Sequence, residues 1–113
     1  MIIGFDGKRA IENNTGLGNY SRLLTEVLAA KYPDNKYLLY APAMRPNPRL
    51  KGILGHRNVD VVTPASAIGR AMGSIWRSGG ITSCLARDGV DLYHGLSGEL
   101  PFNIGGFDGP TVL

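Results

Sequence analysis

The sequence is poor in cysteine, in histidine and in long apolar runs. One cysteine among 113 residues, Cys84, leaves no partner for an intramolecular disulfide. With His56 and His94 as the only histidines, soft ligands are too few for a zinc site, and no metal is expected. Cys84 itself reads as a small buried hydrophobe. No segment approaches the roughly 18 apolar residues needed to cross a bilayer. The N-terminus, Met1-Ile2-Ile3-Gly4-Phe5-Asp6, lacks the positive region and apolar stretch of a secretory signal. A reducing, cytoplasmic location is the expectation. Acids are missing locally as well. From Asn35 to Val59 the charged residues are Lys36, Arg45, Arg49, Lys51 and Arg57, with no Asp or Glu among them. Such a block favours phosphates, nucleic acid or acidic lipid, unless it is only a solvated loop. No aromatic residue interleaves with its arginines, so a base-stacking surface for nucleic acid is not expected.

What is present suits one globular domain spanning residues 1–113, with 43% hydrophobic and 19% charged residues and a net charge of +3. The 16 glycines fall at breaks between apolar segments and form no repeat. Met1 to Phe5 reads as a buried strand ended by Asp6-Gly7, and the polar stretch Lys8 to Thr15 as a loop. Behind Gly16-Leu17-Gly18, the residues Tyr20, Leu23, Leu24, Val27 and Leu28 recur with helical spacing. They predict an amphipathic helix with those five side chains on the core, and with Arg22, Thr25 and Glu26 elsewhere on the wheel. Pro33-Asp34-Asn35 stops that helix. Lys36 to Ala41, Val59 to Thr63 and Val90 to His94 read as further strands. Ala43 to Arg57 reads as a loop with room for a helical turn. Ser66 to Arg87 reads as helix, broken or kinked at Ser78-Gly79-Gly80. Ile68, Met72, Ile75 and Trp76 share one face of it, and Ile81, Cys84 and Leu85 another. Gly95 to Gly109 is a loop, and Thr111-Val112-Leu113 opens a last strand.

Strands separated by helical crossovers predict an α/β fold. It is a Rossmann-like parallel sheet with helices on both faces, three layers in all, and the first strand at its centre. Ligands of such sheets bind beyond the carboxyl ends of the strands. That rule directs attention to Asp6–Gly18, to the segment from Ala41 onward, and to His94–Glu99. A chain reaching only three residues into its last strand is expected to be a fragment of a longer enzyme, unless that strand is an edge.

At the Gly16-Leu17-Gly18 turn a helix N-terminus presents unpaired N–H groups and the positive end of its dipole, and two glycines allow close approach. Gly16, Leu17, Gly18 and Asn19 are therefore candidate ligands of an anion such as a diphosphate. The competing reading is a glycine-containing helix start without a ligand. Gly16-x-Gly18-x-x-Ser21 nearly matches a dinucleotide fingerprint. However, 10 residues separate Phe5 from Gly16, and the second strand ends Tyr40-Ala41-Pro42 without an acid for a ribose. No dinucleotide or other cofactor is expected. His94, at a strand's carboxyl end and followed by Gly95-Leu96-Ser97-Gly98-Glu99, is a candidate for hydrogen bonding to substrate, with Ser97 beside it. Glu99 is a weaker candidate acid or base, lacking a second carboxylate at a defined spacing. Asp6 and Arg9 flank the first strand's exit, where Asp6 suits a turn cap. Met72, Ile75 and Trp76 beside Arg70 and Arg77 suit either core packing or a basic face for peripheral membrane contact.

Ile3-Gly4-Phe5-Asp6-Gly7-Lys8-Arg9-Ala10, the run Thr15-Gly16-Leu17-Gly18-Asn19-Tyr20-Ser21-Arg22-Leu23-Leu24, Asp88-Gly89-Val90-Asp91-Leu92-Tyr93-His94-Gly95 and Leu100-Pro101 together resemble a known pattern. It is the N-terminal half of the retaining, mannosyltransferase-like glycosyltransferases of family 4, which have the B-type two-domain architecture. The likeness runs over nearly the whole chain. It implies an acceptor-side domain facing a second, donor-binding domain across a cleft, with Gly16 and Gly18 near the donor diphosphate and His94 lining the cleft. It implies transfer of a hexose from a nucleotide sugar to a glycan or lipid-linked acceptor, with retention and without an obligatory metal, at the inner face of the membrane or in the cytoplasm. The family's histidine–aspartate pair would follow the strand begun at Thr111, and its donor-binding glutamates belong to the second domain. No catalytic residue is therefore assigned, and this chain alone is expected to show no turnover and weak donor binding. Valine at Gly16 and Gly18 is expected to abolish donor binding and leave the fold intact. The alternative function is a stand-alone Rossmann-like module binding a phosphorylated ligand or a partner protein.

Overall fold

The computed structural model describes residues 1–64 and 72–113. Five strands, β1 (Ile2–Asp6), β2 (Lys36–Tyr40), β3 (Val59–Val62), β4 (Leu92–His94) and β5 (Thr111–Val112), form one sheet in the order β3-β2-β1-β4-β5. Every pairing is parallel, and Phe5 lies opposite Leu39 on one side and His94 on the other. The first strand is thus central, as its unbroken apolar character predicts.

Alternation along the strands divides the core in two. Phe5, Tyr37, Leu39 and Val59 face one layer, where Ile11, Ala29, Leu50 and Ile53 cover them. Leu38, Tyr40 and Tyr93 face the other and pack against Ile81 and Leu85. The helices α1 (Lys8–Glu12), α2 (Gly16–Lys31) and α3 (Lys51–Leu54) carry the first cover, and α5 (Ile81–Arg87) carries the second. The result is the expected α/β/α layering. Gly4 lies on the second face of β1, where a Cβ would press on Tyr40, Leu85 and Tyr93 at 3.1–3.3 Å. Its lack of a side chain lets α5 approach the sheet centre.

The segment after β1 differs from its reading as a loop. Ala10 and Ile11 are fully buried, and that anchorage folds Lys8–Glu12 into α1 despite its three charges. The stretch after β2 also holds more structure than one turn: a 3-10 turn, Pro48–Leu50, runs directly into α3. Beyond β3 the expected helix from Ser66 is described only from Met72 on, so Ile68 and Arg70 lie outside the described residues. There α4 (Gly73–Ile75), a π-helical stretch (Trp76–Gly80) and α5 are continuous. The glycines widen this helix without breaking it. A Cβ on Gly79 would meet the Phe102 ring at 2.8 Å, and one on Gly80 would meet the Trp76 ring at 2.5 Å. Helix α5 ends in a Schellman motif: Val90 N–H donates to Leu85 O, Gly89 N–H donates to Ala86 O, and Gly89 takes φ +67°.

The largest departure concerns which face of α2 is inside. Gly18, Ser21, Arg22, Thr25 and Ala29 are its buried residues, whereas Tyr20, Leu23 and Val27 are 53%, 61% and 44% exposed. Of the predicted face, only Leu24 and Leu28 touch the core. Burial of polar residues is tolerated because each is satisfied locally. Ser21 Oγ donates to Leu17 O and Thr25 Oγ1 to Ser21 O, both at 2.8 Å.

Candidate functional site

Two polar clusters lie at the carboxyl end of the sheet. The first is built by the connection from α1 into α2. Asn13 Oδ1 accepts from Thr15 N–H, Thr15 Oγ1 and Gly18 N–H, at 2.8, 2.6 and 3.1 Å. It thereby caps the first turn of α2 from outside the helix. Among the described residues the Gly16 and Leu17 N–H groups have no recorded partner. The corner stays open at Gly16, where a Cβ would meet nothing within 4 Å. Gly18 is different: a Cβ there would collide with the Asn13 carbonyl. It is a packing glycine, so the expectation that valine at position 18 spares the fold is corrected.

Arginines make this corner electropositive. Arg22, 6% exposed, donates from Nη1 to Ala10 O and Asn13 O and from Nη2 to Asn19 Oδ1 at 2.6 Å. The exposed Arg49 donates from Nη1 to Asn14 O at 3.2 Å and to the same Asn19 Oδ1 at 3.0 Å. Among the described residues neither guanidinium has a carboxylate in ion-pair range. Burial, and then the charge of Arg49, lowers the pKa of Arg22. Arg9, on α1, has a buried Nε with no hydrogen-bond partner among the described residues. Arg49 is placed by Asn47. Asn47 Oδ1 accepts from Arg49 N–H at 3.0 Å, and its Nδ2 donates to Ile11 O and Asn14 Oδ1. The same segment borders an open groove of about 470 Å³, floored by Leu50, walled by Met44, Pro46, Pro48 and Leu54, and edged by Arg45 and Lys51.

The second cluster ties the end of β1 to distant segments. Asp6, 2% exposed, receives Arg77 Nη2 at 2.6 Å, Arg77 Nε at 3.1–3.2 Å and Ser97 Oγ at 2.7 Å. Its Oδ1 also accepts Lys8 N–H at 3.3 Å, a local cap of the kind expected. Arg77 Nη1 reaches Glu99 at 2.9 Å. Burial alone would lower the Arg77 pKa, but hydrogen bonds and charge from Asp6, then Glu99, outweigh it and raise it. Arg77 is therefore held inward and is not part of an outer basic face with Met72 and Ile75. On the other face of the sheet the half-buried His94, opposite Phe5 in register, packs on the Phe5 ring with centroids 5.7 Å apart. Burial lowers its pKa, so the imidazole is held neutral at physiological pH.

The sequence candidates thus divide. Gly16, Leu17, Gly18 and Asn19 share the amide corner, with Gly16 and Leu17 open to a ligand and Gly18 and Asn19 shaping the turn. Ser97 joins the Asp6 cluster, where it bonds Asp6 and Arg77, and His94 stands apart from it against Phe5. Sequence reasoning missed Asn13, Arg22 and Asn47, and saw Arg49 only as one charge in a basic block. The Asn-Pro pair at positions 47 and 48 was the available signal, since it favours turn initiation. Cys84 is partly buried against the second core layer. Among the described residues no group of His, Cys, Asp or Glu is arranged to hold a metal ion, and no helix is long and apolar enough to cross a membrane. No protein-family description, curated protein or solved structure compared with the chain matches it.

Proposed function

We propose that this chain is the acceptor-side domain of a retaining, mannosyltransferase-like glycosyltransferase, which passes a hexose from a nucleotide sugar to a glycan or lipid-linked acceptor. The observation that carries the reading is the α2 N-terminus. Among the described residues the Gly16 and Leu17 amides are free and stand beside Arg22 and Arg49, neither of which is paired with a carboxylate. A diphosphate brings the missing negative charge to a site where helix dipole and guanidinium act together. Its position beyond the carboxyl ends of parallel strands supports a substrate site. In this reading a second domain holds most of the donor, and the corner stabilises charge developing on the leaving diphosphate through preset donors. The neutral His94 lines the cleft and hydrogen-bonds a sugar hydroxyl. The groove from Met44 to Leu54 is open to an acceptor.

The test is a thermal-shift titration of the full-length polypeptide with a panel of nucleotide sugars, alongside its Arg49→Gln variant. Expected is stabilisation by one sugar nucleotide, weakened about tenfold in affinity by the substitution, as for loss of one charge-assisted hydrogen bond. Equal stabilisation by inorganic pyrophosphate and by every nucleotide favours the alternative, a binding module for phosphorylated ligands. No response to any of them overturns the phosphate site.

A further inference from the structure

Three tyrosines are buried in the sheet, Tyr37, Tyr40 and Tyr93, each no more than 1% exposed. A buried tyrosine ordinarily finds a partner for its hydroxyl. Tyr37 Oη donates to Leu28 O at 3.2 Å, and Tyr40 Oη donates to Asp88 Oδ2 at 2.8 Å. The Tyr93 hydroxyl has no hydrogen-bond partner among the described residues. It is not sealed from water either, since Arg9 Nε is the one side-chain atom among them that is both sealed and unpartnered. It therefore meets open space. Tyr93 lines a cleft of about 30 Å³ whose other walls include Asp6, Arg77 and Glu99, with Leu100 and Pro101 completing it. That is room for a single oxygen-sized group. Asp6 ends β1 and Glu99 follows β4, so the cleft lies at the carboxyl end of the sheet, where parallel folds bind their ligands.

We propose that this cleft is a subsite for one hydroxyl group of a sugar. The assignment to a sugar rests on the glycosyltransferase reading; the preference for a hydroxyl comes from the walls alone. Burial first, and then the charge of Asp6, raises the Tyr93 pKa above its ordinary value, so the phenol keeps its proton and donates. Asp6 is taken up by Arg77 and Ser97. The Glu99 carboxylate, held at 2.9 Å by Arg77 Nη1 and 63% exposed, keeps acceptor capacity to spare. A group seated between a donor and an acceptor must do both, as a hydroxyl does. A phosphate or carboxylate oxygen cannot donate, and it would meet the charges of Asp6 and Glu99. An ammonium cannot accept, and it would leave Tyr93 unpartnered beside the Arg77 cation. The subsite is on the opposite face of the sheet from His94, which packs on Phe5, so the two are separate contacts.

Tyr93→Phe is the test, because it removes the hydroxyl and keeps the buried ring. Without ligand its urea midpoint should equal that of the wild type, since no protein partner is lost. A clearly lower midpoint would show the hydroxyl already bonded within the fold and would overturn the proposal. Calorimetric titration of the full-length polypeptide with the nucleotide sugar of largest thermal shift, and with its nucleoside diphosphate, reports on the donor hexose. Saturation-transfer NMR with free mannose reports on the acceptor side. Tyr93→Phe should weaken a sugar ligand about fivefold, and Glu99→Ala the same ligand about tenfold, with the nucleoside diphosphate unaffected. A loss with the nucleotide sugar assigns the group to the donor hexose, and a loss confined to mannose assigns it to the acceptor. Sugar binding unchanged by Tyr93→Phe overturns the subsite and leaves the glycosyltransferase reading standing. Mannose binding weakened by Tyr93→Phe, in a protein that binds no nucleotide sugar, keeps the subsite and overturns that reading. Binding of neither sugar ligand overturns both.

Discussion

Arg22, on α2, and Arg49, 30 residues along the chain from their shared acceptor, donate to a single oxygen, Asn19 Oδ1. Two like charges are thereby held around one neutral acceptor, a repulsion that an anion bound between them would relieve. Phosphate or sulfate should therefore raise the melting temperature in a concentration-dependent manner, as any ligand of the native state does. Arg49→Gln should flatten that response while leaving stability without anion within about 0.5 kcal/mol, because Arg49 is exposed. A melting temperature indifferent to both anions would remove the corner as a phosphate site.

Gly16 and Gly18 make opposite demands. At Gly16 a Cβ meets nothing, and alanine in a helix is favoured over glycine by about 0.5–1 kcal/mol. Gly16→Ala should leave stability unchanged or slightly raised. At Gly18 the added carbon strikes the Asn13 carbonyl, so Gly18→Ala must displace the connection that also carries the Arg22 contacts. A loss of about 1–3 kcal/mol or more is expected, on the scale of overpacking. Urea denaturation of the two variants checks the contrast, and equal midpoints would refute it.

The alternation of apolar strands with helices made the parallel sheet legible, because burial on both faces leaves a short continuous apolar run that few other elements produce. The central place of β1 and the inward face of Ile81 and Leu85 were readable for the same reason. The glycine corner was visible as a turn, but the different roles of its two glycines were not, since they depend on where Asn13 O falls. Periodicity misassigned α2 because it counts every polar residue as solvent-facing. Ser21, Thr25 and Arg22 each find local acceptors and so go inside, and the larger apolar residues are turned out. Charge hid α1, whose apolar anchorage is confined to Ala10 and Ile11. Arg77 was legible only as a neighbour of Trp76, because its partner Asp6 is 71 residues away in the chain.

The Asp6–Arg77 pair is almost wholly out of water, with side chains 3% and 16% exposed. Removing Arg77 leaves Asp6 buried without a counter-charge, which costs about 3–5 kcal/mol, whereas removing Asp6 leaves Arg77 its ion pair with Glu99. Arg77→Met should therefore destabilise by that order in urea unfolding, and Asp6→Asn by less. Asp6→Leu combined with Arg77→Met should recover most of the loss, since an apolar pair carries no desolvation penalty. Glu99, 63% exposed on the other side of Arg77, should contribute about 0–1 kcal/mol when changed to Gln. Additive losses in the Asp6–Arg77 double variant would show that the two side chains do not act as a pair.

His94 gives the fold a pH dependence of definite sign. Burial lowers its pKa below the ordinary value of 6.5. Above pH 6.5 the imidazole is neutral in both folded and unfolded chains and the stability is fully present. As the pH falls below that value the unfolded chain takes up the proton first, so stability declines, until the folded form protonates too and the loss levels off. His94→Gln removes the titrating group while the remaining ionisable side chains, His56 included, stay common to both proteins. The difference in unfolding free energy between wild type and variant should shift against the wild type as the pH falls below 6.5. A difference that stays constant from neutral to mildly acid pH would mean that His94 is as well hydrated in the fold as in the open chain. It would also remove the physical reason for treating it as a neutral hydrogen-bonding group in the cleft.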